Sequence, residues 1–397
     1  MPGLDAVHND GARLTRRQAI TAALSVAAAV PIGFADTAWA APATDAPATA
    51  GPPRLTLPAP TGPFPVGTVP LHLVNPSRSG ERRELMASIW YPAGDVGRHP
   101  RAPWMTAALL RTLLASSGFD PDAVAAPLTS GHESAPVRRQ TGRLPVVVFS
   151  HGAHGHRAEN TVVVQEFASH GYVVVTVDHA GDAFSEFPDG RIIVPDLPLE
   201  PADFADDIRF VLDRIAYLAA GVNPDAGHRP LPAGLCGALD LHRIGMFGWS
   251  KGATATALVM NADRRVRAGL GIEGPMQPTI TTDLDRPYLM MTAIFTRAAE
   301  PSVAEFWSHL RGWRRNIQAA GAVHTSYSDY QTLMPQIARI VGMSDEELAG
   351  WIGTLDPVRA VRIQQAHPLA FFDLHLRHRG HLLDRPSPAF PEVAFIP

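Results

Sequence analysis

The chain has 397 residues, of which 46% are hydrophobic and 18% charged, and its formal net charge is −4 at pH 7. This is an ordinary globular composition, and the small acidic excess without a basic stripe argues against a function in nucleic-acid binding. The length exceeds that of an average domain but suits an α/β fold that carries insertions.

The first forty residues have the pattern of an export signal. Arg16 and Arg17 precede an apolar run, and the run ends in the small-x-small sequence AWA at residues 38–40. The pattern resembles a twin-arginine signal peptide, and the run is too short for a comfortable membrane anchor. We therefore expect a signal peptide over residues 1–40 and a secreted protein, extracellular or in the cell envelope, with no transmembrane segment after cleavage.

A leader is predicted between the signal and the folded domain. Residues 41–65 are dominated by Pro, Ala and Thr and have no hydrophobic period, which predicts a flexible segment. A single folded domain is then expected over residues 66–397. Its single cysteine, Cys236, cannot form an internal disulfide, so stability must come from burial of the core.

Short apolar runs alternate with helix-like segments through the predicted domain. The runs predicted as strands cover residues 67–75, 84–92, 144–152, 172–180, 241–250, 265–274 and 286–294. Between them, residues 158–171 fit a helix, and residues 201–220 have apolar side chains at helical spacing after an acidic start. The alternation predicts an α/β fold with a mostly parallel central sheet and helices on both faces.

Two segments interrupt this alternation and are predicted to be helical insertions. Residues 98–138 contain an apolar helix-like stretch, and residues 296–313 are rich in aromatic and basic side chains. Either segment could form a lid over the strand ends or pack on the back of the sheet. The region from residue 331 is helical in pattern and ends in a Pro-rich tail.

The motif G-x-S-x-G lies between a predicted strand and a predicted helix. Gly248, Ser250 and Gly252 form it, and Ser250 is the one serine in the chain with this flanking. A nucleophile elbow needs small residues on both sides because its serine adopts a strained backbone conformation. The setting predicts a nucleophilic Ser250, and a strand-to-helix turn without chemistry is the alternative.

An oxyanion loop is predicted at the end of the strand over residues 144–152. His151 and Gly152 open this loop, and in α/β hydrolases such a loop donates a backbone N–H to the oxyanion. We predict the amides of Ala153 and of Lys251, the residue after the serine, as the two donors. The histidines of this loop could instead be metal ligands, but no Cys or carboxylate accompanies them at the spacing of a metal site.

The remaining members of a triad are expected beyond the serine, in the order acid and then histidine. His324 follows a strand-like run and opens a loop rich in Ser and Thr, so it is the predicted base. Glu273 stands directly after an apolar strand and is the predicted acid, with Asp283 and Asp285 as alternatives. Its carboxylate would orient the imidazole and stabilise its charged form.

Several blocks of the chain resemble the secreted (type II) platelet-activating factor acetylhydrolases and their bacterial relatives. The similar blocks are LHLVNPSRSGERRELMASIWYPA, PVVVFSHG, YVVVTVDHAGDAFSEFPDG, DDIRFVLDRI, GMFGWSKGATA, GLGIEGPM and GAVHTSYSDY. They extend from about residue 69 to residue 330. The resemblance implies an α/β-hydrolase fold, ester hydrolysis without Ca²⁺, and a triad at Ser250, Glu273 and His324.

The sequence departs from the family pattern around the serine. The family usually has His before the serine and glycines after it, whereas this chain has Trp249, Lys251 and Ala253. The animal enzymes use Asp as the acid where this chain has Glu273. These differences leave the backbone donors intact and are expected to alter the wall of the substrate pocket.

The expected activity is hydrolysis of short-chain acyl esters through an acyl-enzyme, without a metal or an organic cofactor. The resemblance suggests phospholipids with a short or oxidised sn-2 chain as substrates. The alternatives are a general carboxylesterase or lipase, a polyester hydrolase, and a non-catalytic ligand-binding scaffold. A scaffold normally lacks a triad member, and all three are present in this sequence.

Overall fold

The computed structural model describes residues 51–78, 81–139 and 142–397. The predicted signal peptide, residues 1–40, lies outside the described residues, as do residues 41–50 of the predicted leader. The export signal therefore stays a prediction from sequence.

The described strands include all seven runs predicted from the sequence. In chain order they are β1 (Val66–Arg78), β2 (Glu81–Pro92), β3 (Arg101–Pro103), β4 (Leu128–Glu133), β5 (Leu144–Ser150), β6 (Val173–Asp178), β7 (Ser185–Glu186), β8 (Ile192–Ile193), β9 (Leu239–Trp249), β10 (Val266–Ile272), β11 (Tyr288–Thr292), β12 (Arg314–Ala319) and β13 (Val393–Ile396). The long runs are rich in Val, Ile and Leu, whose side chains pack well on a pleated surface.

One 11-stranded sheet dominates the described part of the chain, in the order β13-β12-β11-β10-β9-β5-β6-β2-β1-β4-β3. From β6 to β12 the neighbouring strands are all parallel. In this block Ser150 lies opposite Gly248, and Ile272 lies opposite Trp249. Because these carboxyl ends are level, the loops that follow β5, β9 and β10 meet at one edge of the sheet.

The helices cover both faces of the parallel block. They are α1 (Ala107–Ser116), α2 (Thr161–Ser169), α3 (Pro201–Ala219), α4 (Lys251–Ala262), α5 (Pro301–Ser308), α6 (Tyr330–Val341), α7 (Asp345–Ile352) and α8 (Pro357–Arg377). One buried apolar cluster packs α3, α4 and α5 against the sheet, and a second packs α2 and α8 against the opposite face. This architecture is the predicted α/β-hydrolase fold with a mostly parallel sheet.

The predicted insertion over residues 98–138 joins the sheet and also extends beyond it. β4 pairs in parallel with β1 and antiparallel with β3, which extends the sheet at this edge. The apolar side of α1, including Leu109 and Leu110, belongs to a third buried cluster with Leu333 and Met334 of α6. Beyond the sheet, α1 therefore packs in a cluster that it shares with α6.

The other predicted insertion, residues 296–313, lies on a face of the sheet. Its helix α5 buries Val303 and Phe306 in the same apolar cluster as α3 and α4. The Phe306 ring meets the ring of Tyr288 of β11 edge-on at a centroid distance of 5.0 Å. Packing on the sheet, one of the two alternatives left open by the sequence, is therefore its arrangement here.

The described part of the predicted leader, residues 51–65, is not a free segment. Leu55 is only 2% exposed, and Thr61 donates backbone and side-chain hydrogen bonds to the Glu166 carboxylate. Side-chain amides of Gln165 and Gln365 donate to carbonyls of the same segment. The proline content removes regular backbone pairing, but these tertiary hydrogen bonds fix the segment to α2 and α8.

The last described strand, β13, lies in the Pro-rich tail, where the sequence pattern did not predict a strand. β13 pairs antiparallel with β12, with Ala319 opposite Val393. None of the helices within the described ranges is both long and apolar enough to cross a membrane.

We expect substitution of Phe372 by Ala to lower the free energy of unfolding by about 3–5 kcal/mol. Phe372 of α8 is 0% exposed, and its ring fills the space above Gly245 of β9, where an added Cβ would lie 2.4 Å from the ring. Removal of the phenyl ring leaves a cavity between α8 and the sheet. Urea denaturation followed by circular dichroism measures the change.

Val358→Ala is the matched control for this prediction. Val358 lies in the same helix and is 64% exposed, so its truncation should change the free energy of unfolding by less than about 0.5 kcal/mol. Equal effects of the two substitutions would contradict the placement of α8 on the sheet.

Candidate active site

Ser250 occupies a sharp turn between β9 and α4. Its backbone angles are φ 55° and ψ −120°, a strained conformation for a residue with a side chain. A Cβ on Gly248 would lie 2.0 Å from the carbonyl oxygen of Gly252, and a Cβ on Gly252 would lie 2.1 Å from that of Ser150. The two glycines of the motif are therefore required by backbone contacts, as the predicted elbow demands.

Ser250 and His324 face each other across the sheet edge. The Ser250 Oγ lies 3.1 Å from His324 Nε2, within hydrogen-bonding distance. His324 opens a short 3₁₀ helix, His324–Tyr327, in the loop after β12, and its side chain is 16% exposed. The serine hydroxyl is thus next to a base that substrate and water can reach.

Glu273 completes this group on the far side of the imidazole. Its Oε1 lies 3.7 Å from His324 Nδ1, a distance at which the contact is electrostatic rather than a hydrogen bond. The Glu273 side chain is 0% exposed, and its backbone φ is +43°. The structure thus brings the three residues predicted as a triad together.

The Glu273 carboxylate is held by the end of the neighbouring strand. It accepts backbone hydrogen bonds from Ala293, from Ile294 at 2.9 Å and from Phe295 at 3.1 Å. Three amide donors thus give this buried carboxyl group hydrogen-bond partners and fix its position beside the imidazole.

The alternative acids lie elsewhere. Asp283 binds His309 and Arg311, and Asp285 pairs with Arg264, all near the protein surface. Arg311 and His309 lower the pKa of Asp283 to about 2 through hydrogen bonds to its carboxylate. Both aspartates have their own partners, and Glu273 is the carboxylate that faces His324.

Trp249 contacts His324 directly and helps to hold it in position. Its indole Nε1–H donates to the backbone carbonyl of His324 at 3.0 Å, and the two rings lie 4.7 Å apart. Phe295 meets the same imidazole edge-on at 5.4 Å. Sequence reasoning identified Trp249 as unusual but had no signal for a contact with a residue 75 positions away.

The Lys251 side chain points away from the serine. Its Nζ donates to Asp182 and to the carbonyl of Leu199, and it lies 5.2 Å from the centre of the Phe204 ring. Only 16% of the side chain is exposed. What Lys251 can offer a substrate is therefore its backbone amide at the start of α4.

The predicted oxyanion loop approaches the serine closely at Gly152. A Cβ on Gly152 would lie 2.6 Å from the Trp249 ring and 3.1 Å from the Ser250 Cβ. The next residue, Ala153, is half-buried, and its amide has no acceptor among the residues that the structure describes. An unpaired N–H beside the serine is available to a ligand.

The histidines of this loop do not converge as metal ligands. His151 Nε2 accepts a hydrogen bond from the backbone of His179, His154 is near Asp182, and the buried His156 packs on Trp104. Burial lowers the pKa of His156 to about 3. Across the described ranges, no three or more His, Cys, Asp or Glu side chains form a metal-binding group.

A second Ser–His–Asp arrangement lies beneath the loop. Ser150 Oγ is 2.9 Å from His179 Nε2, and His179 Nδ1 is 3.0 Å from Asp207 Oδ2. Ser150 and His179 are 0% exposed, so no substrate reaches them. The arrangement anchors the end of β5, where the oxyanion loop begins.

A cavity of about 1080 Å³ opens beside His324. Its walls come from the loop after α1, the ends of α6 and α7, and the histidine loop. The lining residues are Ser117, Gly118, Phe119, Asp120, Ala123, Ile294, Val323, His324, Thr325, Ile340, Val341, Gly342, Met343, Glu347, Gly350 and Trp351. Its volume is that of a pocket for a drug-sized ligand.

Comparison with known proteins gives one family match and two curated relatives. The family described as platelet-activating factor acetylhydrolase, isoform II, matches residues 50–185 and 232–382. A probable 1-alkyl-2-acetylglycerophosphocholine esterase of Arthroderma benhamiae is 26% identical over 275 residues, 64% of this chain and 66% of its own length. A platelet-activating factor acetylhydrolase of Cavia porcellus is 22% identical over 243 residues, 52% of this chain and 54% of its own length. The chain thus spans just under two thirds of one relative and about half of the other.

A solved structure covers more of the chain. A ferulic acid esterase from Streptomyces cinnamoneus superposes with a TM-score of 0.71 at 32% identity, over 86% of this chain and 99% of that one. The predicted fold class is confirmed.

We expect Gly252→Ala to destabilise the elbow because the new Cβ would lie 2.1 Å from the Ser150 carbonyl oxygen, which belongs to rigid backbone. A clash of this kind costs about 1–3 kcal/mol or more, so the melting temperature should fall by several degrees. Differential scanning fluorimetry measures it. Gly350→Ala, also in a helix but with nothing within 4 Å of the added Cβ, should be neutral or stabilising; equal destabilisation by both would refute the backbone-contact argument.

Proposed function

Because the chain belongs to the platelet-activating factor acetylhydrolase, isoform II, family, we propose that it is a carboxylic ester hydrolase with Ser250 as its nucleophile. The observation that carries the proposal is the position of Ser250 on a strained turn, with its Oγ 3.1 Å from His324 Nε2. The esterase names of the relatives and of the structural neighbour support the same reaction class.

In the acylation step, Ser250 Oγ attacks the ester carbonyl carbon and His324 Nε2 takes the hydroxyl proton. The Glu273 carboxylate stabilises the imidazolium that forms. The amides of Ala153 and Lys251 bind the negative oxygen of the tetrahedral intermediate. The imidazolium then returns the proton to the leaving alcohol, and the acyl group stays on the serine.

In the deacylation step, a water molecule gives a proton to His324 and attacks the acyl-serine carbonyl. A second tetrahedral intermediate uses the same amide donors. Its collapse restores the Ser250 hydroxyl and releases the carboxylic acid. Every proton in this cycle passes through His324, and no step calls for a cofactor.

The cavity beside His324 is the site for the leaving alcohol. In an acyl transfer the histidine must reach both the serine oxygen and the leaving oxygen, so the alcohol lies on the histidine side. The cavity is lined by His324 and its neighbours Val323 and Thr325, and not by residues 151–153 of the oxyanion loop. A large alcohol therefore has room here, whereas the acyl group lies towards the oxyanion loop.

The lining of this cavity favours an apolar alcohol that is neutral or cationic. Phe119, Met343 and Trp351 supply apolar and aromatic surface. The ionisable lining groups besides His324 are the carboxylates of Asp120 and Glu347, with no Lys or Arg among the lining residues described. These carboxylates can attract a cationic group on the alcohol, such as the ammonium group of a phosphocholine ester, and would repel an alcohol with a net negative charge.

Short acyl groups on a large alcohol are the substrate class that we propose, which includes phospholipids with a short or oxidised sn-2 chain. A general carboxylesterase or lipase, a polyester hydrolase and a non-catalytic scaffold are the alternatives. The ferulic acid esterase neighbour adds esters with an aromatic acyl group to the compounds worth testing. The predicted twin-arginine signal adds the proposal that the enzyme works outside the cytoplasm.

Labelling by a fluorophosphonate probe tests the serine mechanism. The wild-type protein should be labelled, Ser250→Ala should not be, and His324→Ala should be labelled at least about 100-fold more slowly because the base is lost. Ser308→Ala, at an exposed serine of α5, is the control and should label normally. An unlabelled wild type, or a labelled Ser250→Ala, would reject the esterase proposal and favour the scaffold.

The acyl preference is measured with p-nitrophenyl esters from acetate to dodecanoate. We expect kcat/KM to be highest for the shortest chains, because the cavity lies on the alcohol side. A maximum at long chains would instead indicate a lipase.

Gly350→Leu tests which part of the ester enters the cavity. Gly350 lines the cavity, and an added Cβ there would meet no residue beyond its own helix within 4 Å, so leucine would add apolar volume to the cavity. We expect kcat/KM for acetates of bulky alcohols to fall about tenfold while that for ethyl acetate is retained. Ala349→Leu is the matched control, since this exposed neighbour in α7 does not line the cavity. Loss on methyl ferulate or longer acyl chains, with bulky acetates unaffected, would assign the cavity to the acyl group.

A further inference from the structure

The oxyanion loop is held from behind by a buried glutamate that the triad does not include. Glu159 Oε2 accepts the backbone N–H of Gly152 at 3.2 Å, and the residue is only 2% exposed. Its carboxyl packs directly on Gly155, where an added Cβ would lie 2.2 Å from Oε1. The carboxyl thus fixes the His151–Gly152 peptide, one residue before the N–H of Ala153, the predicted oxyanion donor.

The same residue joins this loop to the loop that carries His324. The Glu159 carbonyl accepts the Asp329 N–H at 2.8 Å, and the Asn160 side chain donates to the Tyr327 carbonyl at 2.7 Å. Asp329 itself accepts the amides of Thr161 and Val162 at the start of α2. Residues 159–162 and 327–329 therefore form one joint between the two loops.

We propose that Glu159 is a positioning residue for ester hydrolysis, whose carboxyl oxygen holds the Gly152 peptide so that the Ala153 amide points at the oxyanion. The proposal rests on the proposed function of Ser250 and His324. A donor that is already aimed needs no reorganisation when negative charge develops, which is why such amides stabilise the transition state more than the bound substrate.

The chemistry of the pocket around Glu159 favours a neutral carboxyl. Burial, together with the neighbouring Asp329 and Asp178 carboxylates, raises the pKa of Glu159 to about 8 against the opposing Gly152 hydrogen bond. Tyr330 is a further ionisable group that interacts with Glu159, and burial together with the Glu159 and Asp329 carboxylates raises the pKa of its hydroxyl. A neutral carboxyl still accepts the Gly152 N–H and puts no charge next to the oxyanion.

Two substitutions of Glu159 distinguish the effect of its hydrogen-bond acceptor from the effects of side-chain size and charge. Glu159→Met keeps the length of the side chain but leaves the Gly152 N–H unpaired, whereas Glu159→Gln keeps a neutral acceptor oxygen. For Glu159→Met we expect kcat on p-nitrophenyl acetate to fall about 10–100-fold with KM within about twofold, because only transition-state binding is lost. Glu159→Gln should recover most of the lost kcat.

Gly155→Ala displaces the carboxyl without removing it and should also lower kcat with little change in KM. Thermal unfolding of each variant shows whether it folds. If Glu159→Met does not fold, the kcat of Gly155→Ala tests the positioning role of Glu159 instead. An unchanged kcat in a folded Glu159→Met protein, or equal losses in the Met and Gln variants, would overturn the proposal. A wild-type protein without esterase activity or fluorophosphonate labelling would instead reject the proposed function itself.

Discussion

The strained backbone of Ser250 is the constraint on which the rest of the site depends. Its φ of 55° is maintained by a hydrogen bond from its amide to the Ile272 carbonyl at 2.9 Å and by close backbone contacts at neighbouring glycines. A Cβ on Gly274, for example, would lie 2.3 Å from the Ser250 carbonyl oxygen. β5, β9 and β10 must therefore stay level for the serine to keep this geometry.

Around this turn, hydrogen bonds to buried polar groups hold the irregular loops in place. Three amides hold Glu273, the Trp249 indole holds the backbone of His324, and Glu159 holds the Gly152 peptide. Each of these groups is nearly inaccessible to solvent, where an unpaired polar atom would be costly. The positions of the reactive groups are thus determined by hydrogen bonds that contact no substrate.

The substrate cavity has a different origin. Its walls come from segments that are distant in sequence, the loop after α1 and the ends of α6 and α7, which pack together through a separate apolar cluster. These segments contribute little to the parallel sheet. Their variation can change which esters fit without disturbing the serine or its partners, so membership of the family fixes the site more closely than it fixes the substrate.

The sequence alone determined the elements whose signals are local. The Val-rich runs predicted the central strands, G-x-S-x-G predicted the elbow, and the chain order of Ser250, Glu273 and His324 predicted which side chains converge. Only the tertiary structure decided how far-apart residues meet: the Trp249 bond to His324, the Glu159 bond to Gly152, the docking of residues 51–65, β13 and the cavity. Such contacts depend on how helices and loops pack in three dimensions, and a pattern along the chain carries no record of that packing.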